Sequence, residues 1–214
     1  MRRLRSDNFI LAISDRAVFK VGSIDPGSIF SLNPCCEKWV GGLVEGRYTM
    51  LLQGSCHCRS VKFTVESTKP YPFMRCYCEV CRKTQGGGGF AINLGARSNT
   101  LVVRGRRSVR TYRARGKSVS GGSEEDGFSY LRRNFCGVCG SALWCEDPRW
   151  PHLVHPFASA IDTKLPKTSE VTHIMLNSVP DWVSMSKGKK HLYFDNYPDE
   201  SIENWHLRCG LIDD

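Results

Sequence analysis

Seven of the eleven cysteines of this 214-residue chain lie in three closely spaced groups. The groups are Cys56-x-Cys58, Cys76-x-Cys78-x-x-Cys81 and Cys136-x-x-Cys139. Two thiolates one or two residues apart can reach the same ion, and a structural Zn²⁺ takes four such ligands in a closed tetrahedron. Seven ligands fit one closed four-cysteine site and one three-cysteine site. A zinc with three protein ligands keeps a position open for water or substrate, so the spacing predicts metal-dependent chemistry.

A disulfide framework explains these cysteines less well, because their total is odd and the chain is longer than the usual disulfide-stapled domain. The arginine-rich start precedes an apolar run, residues 9–13, that is too short for a signal peptide core. Reduced thiolates require a reducing compartment, so we expect a cytoplasmic protein. The other cysteines are interpreted as small buried hydrophobic residues; they are Cys35, Cys36, Cys145 and Cys209.

Composition limits the function classes. A hydrophobic content of 41% is enough for an ordinary core, and no apolar run has membrane-spanning length. The net charge is +9, and eight basic residues with no acidic one lie between Arg97 and Lys117, a segment called the basic stripe below. Such a stripe could follow the phosphates of a nucleic acid, but charge runs are usually solvated faces. We favour the solvated face of a hairpin.

The elements that must position the cysteines are mostly strands. Residues 60–66 alternate polar and apolar directly after the first cysteine pair, and residues 131–135 lead into the third. Further strands are predicted at 101–104 and 109–113, joined by a turn around Gly105, and at 173–176 and 192–194. Helices are few: one turn at 80–84, and a short helix through Trp205 that Asp199 could cap. Residues 116–127 are predicted to be a flexible loop.

Several motifs together resemble the glutathione-dependent formaldehyde-activating enzyme family, which includes centromere protein V. They occur in the order Gly54-Ser55-Cys56-His57-Cys58, then Cys76-Tyr77-Cys78-x-x-Cys81-Arg82-Lys83, then Phe135-Cys136-Gly137-x-Cys139-Gly140-Ser141. The segment from His173-Ile174 to Pro180-Asp181-Trp182 is similar to the closing part of that family. The resemblance spans roughly residues 50–195.

This resemblance implies a mainly β fold of the Mss4-like, or β-tent, type, pinned by zinc knuckles and with few short helices. It implies two zinc ions. One is structural and closed by Cys56, Cys58, Cys136 and Cys139; the other is catalytic and held by Cys76, Cys78 and Cys81. Spacing alone leaves a rubredoxin-like alternative open, in which Cys78 and Cys81 join Cys136 and Cys139.

The activity that the resemblance implies is that of a carbon-sulfur lyase, which makes or breaks S-hydroxymethylglutathione from glutathione and formaldehyde. Glutathione would be the co-substrate, and a related small thiol or aldehyde adduct is an alternative. Zinc could supply either the activated sulfur or Lewis-acid polarisation of the aldehyde. Arg82 and Lys83 could bind substrate carboxylates or be ordinary surface charges. The competing hypothesis is a non-catalytic zinc-stabilised module that binds nucleic acid or another polyanion through the basic stripe.

The chain is divided into three parts by these patterns. We expect a weakly ordered N-terminal extension at 1–49, the zinc-binding domain at 50–197, and a short helix and tail at 198–214. Arg59 stands where the family often has glycine, so we expect a turn built without positive φ there. His57 is interpreted as a spacer, and His173 and Trp182 as packing residues. The glycines at 86–89 are interpreted as a flexible loop over the open site.

Overall fold

The computed structural model describes residues 43–44, 47–85, 87–116 and 127–211. All of these fall in one compact unit, residues 41–214. Most of the predicted N-terminal extension and nearly all of the predicted flexible loop, residues 117–126, lie outside the described residues. Within the part of the chain that is described, no helix is long and apolar enough to cross a membrane.

The structure is mainly β, as the sequence predicts. In chain order the strands are β1 (Leu43–Val44), β2 (Arg47–Tyr48), β3 (Met50–Ser55), β4 (Lys62–Ser67), β5 (Met74–Cys76), β6 (Ala96–Arg97), β7 (Val102–Arg104), β8 (Val109–Arg115), β9 (Phe128–Cys136), β10 (Ala142–Glu146), β11 (Leu153–Pro156), β12 (Val171–Ile174) and β13 (His191–Tyr193). The two α-helices of the described residues are short: α1 (Glu79–Gln85) and α2 (Ile202–Arg208).

The strands form three main sheets, beside a small antiparallel pair of β1 and β2. One sheet has the order β3-β4-β7 and is antiparallel. The second has the order β6-β11-β10-β9-β8 and is also antiparallel. The third, β13-β12-β5, is parallel. These sheets carry the cysteine groups at strand ends, where the chain turns and side chains can converge.

Two hydrophobic cores hold the sheets, and each contains cysteines. In the first, Phe63 of β4 meets Trp144 of β10 edge to face, with ring centroids 5.4 Å apart, and Cys56 and Cys136 are buried in the same cluster. Alternate residues of β4 point inward to this core, as expected for a half-buried strand. The second core contains Cys76, Cys78 and Cys81. Five of the seven clustered cysteines are therefore packed in these cores.

The predicted hairpin around Gly105 is wrong. Strand β7 pairs with β4, whereas β8 pairs with β9, so the two segments belong to different sheets. Gly105 has φ 77°, and a Cβ there would lie 1.9 Å from the Ser60 carbonyl oxygen. The chain can pass this close to the turn at Ser60 only with glycine, and it then crosses to the second sheet.

Helix α2 is found where the sequence predicts it, but its cap differs. Ser201 is the N-cap, and its hydroxyl accepts a 3.0 Å hydrogen bond from the Asn204 amide. Asp199 lies two residues too early to reach this amide. Both residue types cap well, so the pattern alone could not choose between them.

Candidate metal centres

The seven clustered thiols come together in two groups. In one group lie Cys56, Cys58, Cys136 and Cys139, and in the other Cys76, Cys78 and Cys81; within each group all sulfur atoms are within 4.8 Å of one another. This is the grouping that the family resemblance implies, and Cys78 and Cys81 do not join the third cysteine pair. The two groups are described in turn below.

The four-cysteine group is built from two loops of the same design. Cys56 follows β3 and Cys136 ends β9, and both are fully buried. The amide of each donates to a carbonyl five residues later, Cys56 to Val61 at 3.0 Å and Cys136 to Ser141 at 2.9 Å. These bonds close each loop, so that the second cysteine of each pair turns back toward the first.

Each loop contains a residue in the left-handed region directly after its second cysteine. Gly140 has φ 76° and Arg59 has φ 63°, and their amides donate to the carbonyls of Cys136 and Cys56. The expectation that the turn at Arg59 avoids positive φ is therefore wrong. The loop keeps the left-handed conformation and accepts the strain of a side chain there, which typically costs about 1 kcal/mol.

The sulfur geometry of the four-cysteine group fits a tetrahedral metal. Sulfur atoms are 3.5 Å apart for Cys56 and Cys58, and 3.8 Å for Cys58 and Cys136. Four sulfurs at the usual zinc-sulfur distance of about 2.3 Å would be about 3.8 Å apart. The exposed members ionise readily: a hydrogen bond with the Ser141 hydroxyl lowers the pKa of Cys139 to about 5. Cys56, one of the two buried members, does not, since burial raises its pKa to about 11.

The three-cysteine group lies where β5 passes into α1. Cys76 ends β5 and exchanges two backbone hydrogen bonds with Ala91, at 2.9 and 3.0 Å. The amide of Cys81 in α1 points at the sulfur of Cys78, at 3.4 Å. All three thiols are at least nine-tenths buried, against Ala91, Ile174 and Met175. The site is thus a small apolar cluster with three sulfur donors.

Three thiols this close cannot all lose their protons unaided. Hydrogen bonds from Cys76 and Cys81 strongly lower the pKa of Cys78, and the same contact with Cys78 strongly raises that of Cys76. Loss of the proton from Cys78 therefore disfavours loss of a second proton from Cys76. A dication would offset the repulsion among three thiolates, so the donor set fits a soft metal such as zinc. No fourth histidine, cysteine or carboxylate joins this group among the residues that the structure describes.

Next to the three-cysteine group lies a buried chain of hydrogen bonds that sequence reasoning missed. The Tyr77 hydroxyl is 2.8 Å from Nδ1 of His173, and Nε2 of His173 is 3.0 Å from Nδ1 of His191. His173 is fully buried, which lowers its pKa to about 4, and the Tyr193 ring stacks on it with centroids 4.9 Å apart. His173 therefore packs as predicted, but it also links the cysteine segment to β13. No spacing rule connects these positions.

The structure also places Trp182, the glycine segment and His57, for which the sequence predicted packing, loop and spacer roles. Trp182 is 67% exposed, so it is not part of either core, but one edge of its ring packs against the backbone at Gly89. Gly89 has φ 82°, and an added Cβ there would be 2.6 Å from Val183. This end of the glycine segment is therefore packed against residues 182–183. His57 is exposed, and its side chain is not part of the four-cysteine group.

The cations after Cys81 differ in availability. Nζ of Lys83 is 2.8 Å from a carboxylate oxygen of Glu79, and both side chains are 64% exposed. Nε of Arg82, by contrast, is buried with no hydrogen-bond partner among the described residues. An unpaired buried donor is costly, and a ligand that supplies an acceptor would relieve that cost. Of the two cations, Arg82 is therefore the one with a buried donor available to an acceptor.

The basic stripe is spread over two sheets. Arg97 pairs with Glu66, and Nε of Arg113 donates to the Ser129 carbonyl at 3.0 Å. Exposed members without a carboxylate partner among the described residues are Arg104, Arg106, Arg107, Arg110 and Arg115. Because the stripe is not one face of a hairpin, its charges do not form the single row that the sequence suggests.

These features define a β-rich protein with two cysteine clusters able to hold metal ions. The sequence model of the glutathione-dependent formaldehyde-activating enzymes matches residues 51–178. A Halomonas elongata protein, provisionally named a glutathione-dependent formaldehyde-activating enzyme, is 54% identical over 163 residues, which cover 76% of this chain and 98% of the relative. The chain belongs to the glutathione-dependent formaldehyde-activating enzyme family. A crystal structure of a Rhodobacter sphaeroides protein, 22% identical, aligns with a TM-score of 0.39 over 54% of this chain and 99% of its own.

Proposed function

We propose that this protein is a zinc-dependent carbon-sulfur lyase that forms or breaks the adduct of glutathione and formaldehyde. The observation that carries the proposal is the three-cysteine group, which gathers three buried sulfur donors and no fourth ligand among the described residues. A purely structural site would be closed, as the four-cysteine group is. Cys76, Cys78 and Cys81 are then the catalytic ligands, and Cys56, Cys58, Cys136 and Cys139 hold the structural ion.

The proposed reaction is an addition that needs little machinery. The glutathione sulfur bonds to the formaldehyde carbon, and the thiol proton ends on the former carbonyl oxygen, so atoms and charge balance. A bound zinc ion would supply a site at which the substrate sulfur is held as a thiolate at neutral pH. The three cysteines fix the place of that sulfur, and the apolar wall of Ala91, Ile174 and Met175 keeps water from competing with it.

Substrate orientation falls to the cations around the cluster. Glutathione carries two carboxylates, and a guanidinium can hold a carboxylate with two parallel hydrogen bonds. Arg82 is our candidate for this contact, because its buried Nε lacks a partner. Lys83 is the weaker candidate, because its ammonium already pairs with Glu79 on the surface. A cytoplasmic location agrees with this function, since the thiolates and glutathione are both maintained in a reducing compartment.

The experiment that tests the function is exchange spectroscopy at equilibrium. Glutathione and ¹³C-formaldehyde interconvert with their adduct without a catalyst, so the quantity to measure is the acceleration of that exchange by zinc-loaded protein. We expect the wild-type chain to accelerate it and Cys78→Ser to lose the acceleration. Cys209→Ser is the matched control, because Cys209 belongs to neither group. A Cys78→Ser variant that is as active as wild type would contradict the proposal.

A further inference from the structure

Arg133 is a buried cation without a carboxylate partner. It lies on β9, the strand that ends at Cys136, and it is only 8% exposed. Arginine is almost never this buried unless it is paired, because removing a guanidinium from water is costly. Among the described residues, no Asp or Glu oxygen lies within ion-pair distance of it.

The contact that Arg133 does make is with the three-cysteine group. Its Nη2 is 4.0 Å from the sulfur of Cys81, and its cross-strand neighbours on β8 and β10 are Tyr112 and Cys145. At this distance the interaction is mainly one of charge, not a short hydrogen bond. The guanidinium therefore faces the sulfur of Cys81 in α1 instead of a carboxylate.

The net charge of a metal-bound three-cysteine group shows how the nearby Arg133 would affect ligand binding. A divalent ion with three thiolates has a net charge of −1, and a neutral oxygen ligand in the open position leaves that charge unchanged. A thiolate ligand makes the net charge −2 instead. In a buried site the second negative charge is strongly disfavoured unless a cation lies nearby.

We propose that Arg133 is a specificity-determining residue, which makes the open position of the three-cysteine group prefer an anionic sulfur ligand to a neutral one. This inference rests on the proposed function, and it adds which residue sets the ligand class. Arg82 could orient a substrate through its carboxylate, whereas Arg133 acts on the sulfur itself. It is held by a sheet, so its position does not depend on substrate binding.

The test uses the full-length protein loaded with Co²⁺, whose absorption reports the ligands directly. Thiol affinity is measured by titration with 2-mercaptoethanol, which has no carboxylate, and neutral-ligand affinity with imidazole. The variants are Arg133→Gln, which keeps a donor but loses the charge, and Arg133→Lys, which keeps the charge. Arg132→Gln is the matched control, because successive strand residues point to opposite faces.

We expect Arg133→Gln to weaken the binding of 2-mercaptoethanol on the order of 10- to 100-fold, as loss of a nearby charge in a partly buried site would. Imidazole affinity and the cobalt content should be unchanged, Arg133→Lys should stay within a few fold of wild type, and Arg132→Gln should match it.

Three results would overturn the inference: wild-type thiol affinity in Arg133→Gln, an equal loss for imidazole, or loss of cobalt from the three-cysteine group. The last would mean that Arg133 holds the metal site together and does not select its ligand. If wild-type cobalt protein takes up no thiol at all, the proposed function itself fails. These outcomes are distinct, so the two claims are tested separately.

Discussion

The backbone amide of His57 donates a 3.0 Å hydrogen bond to the hydroxyl of Ser141. This bond joins the two loops of the four-cysteine group, which come from different sheets. The same hydroxyl is 3.2 Å from the sulfur of Cys139. The four-cysteine group therefore links the β3-β4-β7 sheet to the five-stranded sheet, whereas the three-cysteine group lies in its own core.

Loss of one ligand from each group should have different consequences. Cys58→Ser should remove the structural zinc and lower the free energy of unfolding by roughly 3 kcal/mol or more, because a closed zinc site contributes directly to folding. Cys78→Ser should remove one zinc at a smaller cost in stability. Zinc content and thermal denaturation measure both effects. If the two variants were equally destabilised, the division into structural and catalytic sites would not hold.

The left-handed residue after Cys58 gives a second prediction. Arg59→Gly should raise the free energy of unfolding by about 0.5–1 kcal/mol, because glycine adopts φ 63° without strain. Its ion pair with Asp162, at 3.4 Å between exposed groups, contributes little. Arg59→Ala is the control, since it removes the ion pair but keeps the strain. Urea unfolding compares the three proteins; a glycine variant no more stable than the alanine variant would show that the turn is unstrained.

A comparison of Gly105 with Gly116 tests the effect of the close backbone contact at Gly105. Both have positive φ, 77° and 82°, but only at Gly105 would a Cβ meet the Ser60 carbonyl oxygen; at Gly116 it meets none of the described residues within 4 Å. Gly116→Ala should cost about 1 kcal/mol for the backbone conformation alone. Gly105→Ala should cost roughly 2 kcal/mol more, because the β7–β8 crossing must shift. Equal costs in urea unfolding would contradict the predicted clash.

The buried histidine makes stability depend on pH. Burial, then the charges of Arg75 and His191, lower the pKa of His173 to about 4 in the folded protein, against about 6.5 when unfolded. The unfolded chain therefore binds this proton first, so the contribution of His173 is complete above about pH 6.5 and is lost as the pH falls toward 4. Compared with wild type, His173→Gln should lose less stability between pH 6.5 and 4.5. His152→Gln, at an exposed position, should keep the wild-type slope.

The competing hypothesis, that the basic stripe binds a polyanion, differs from the lyase hypothesis in how binding should depend on salt concentration. Binding through phosphates would weaken steeply as salt rises, with a slope set by the number of contacts. A lyase that captures a thiol at a metal should respond little, so we expect no specific duplex binding that survives 150 mM salt. Fluorescence anisotropy with a labelled duplex measures this. Tight binding that Arg104→Ala and Arg107→Ala together reduce would instead support the binding module.

Much of the fold follows from local patterns in the sequence. The strands β4, β9 and β13 and the two short helices were predicted, because alternation and helix-end residues are local signals. The strand predicted at 173–176 is shifted, since β12 is Val171–Ile174. The pairing of strands was predicted less well. The sequence of β7 and β8 is typical of a hairpin, but the close contact between Gly105 and Ser60, which separates the two strands, is a tertiary contact. The prediction for the turn at Arg59 was wrong for a similar reason, since the closed loop imposes a backbone conformation that arginine alone does not prefer.

For the candidate site, the cysteine spacing predicted two clusters that could hold a metal ion, but not their surroundings. The Tyr77–His173–His191 chain and the approach of Arg133 join segments far apart in sequence, and neither follows from spacing. Lys83 shows that closeness in sequence to a cysteine ligand does not by itself place a side chain at the site. It is close to Cys81 in sequence, yet its ammonium pairs with Glu79 on the surface of α1.

The central claim is that one zinc site is closed and the other is open to a thiolate. The most direct measurement is X-ray absorption at the zinc edge of the fully loaded protein, with and without glutathione. One four-sulfur and one three-sulfur site give about 3.5 sulfurs per zinc, and glutathione should raise this to about 4 with two zincs retained. A value near 4 before glutathione is added, or one that glutathione leaves at 3.5, would contradict the account.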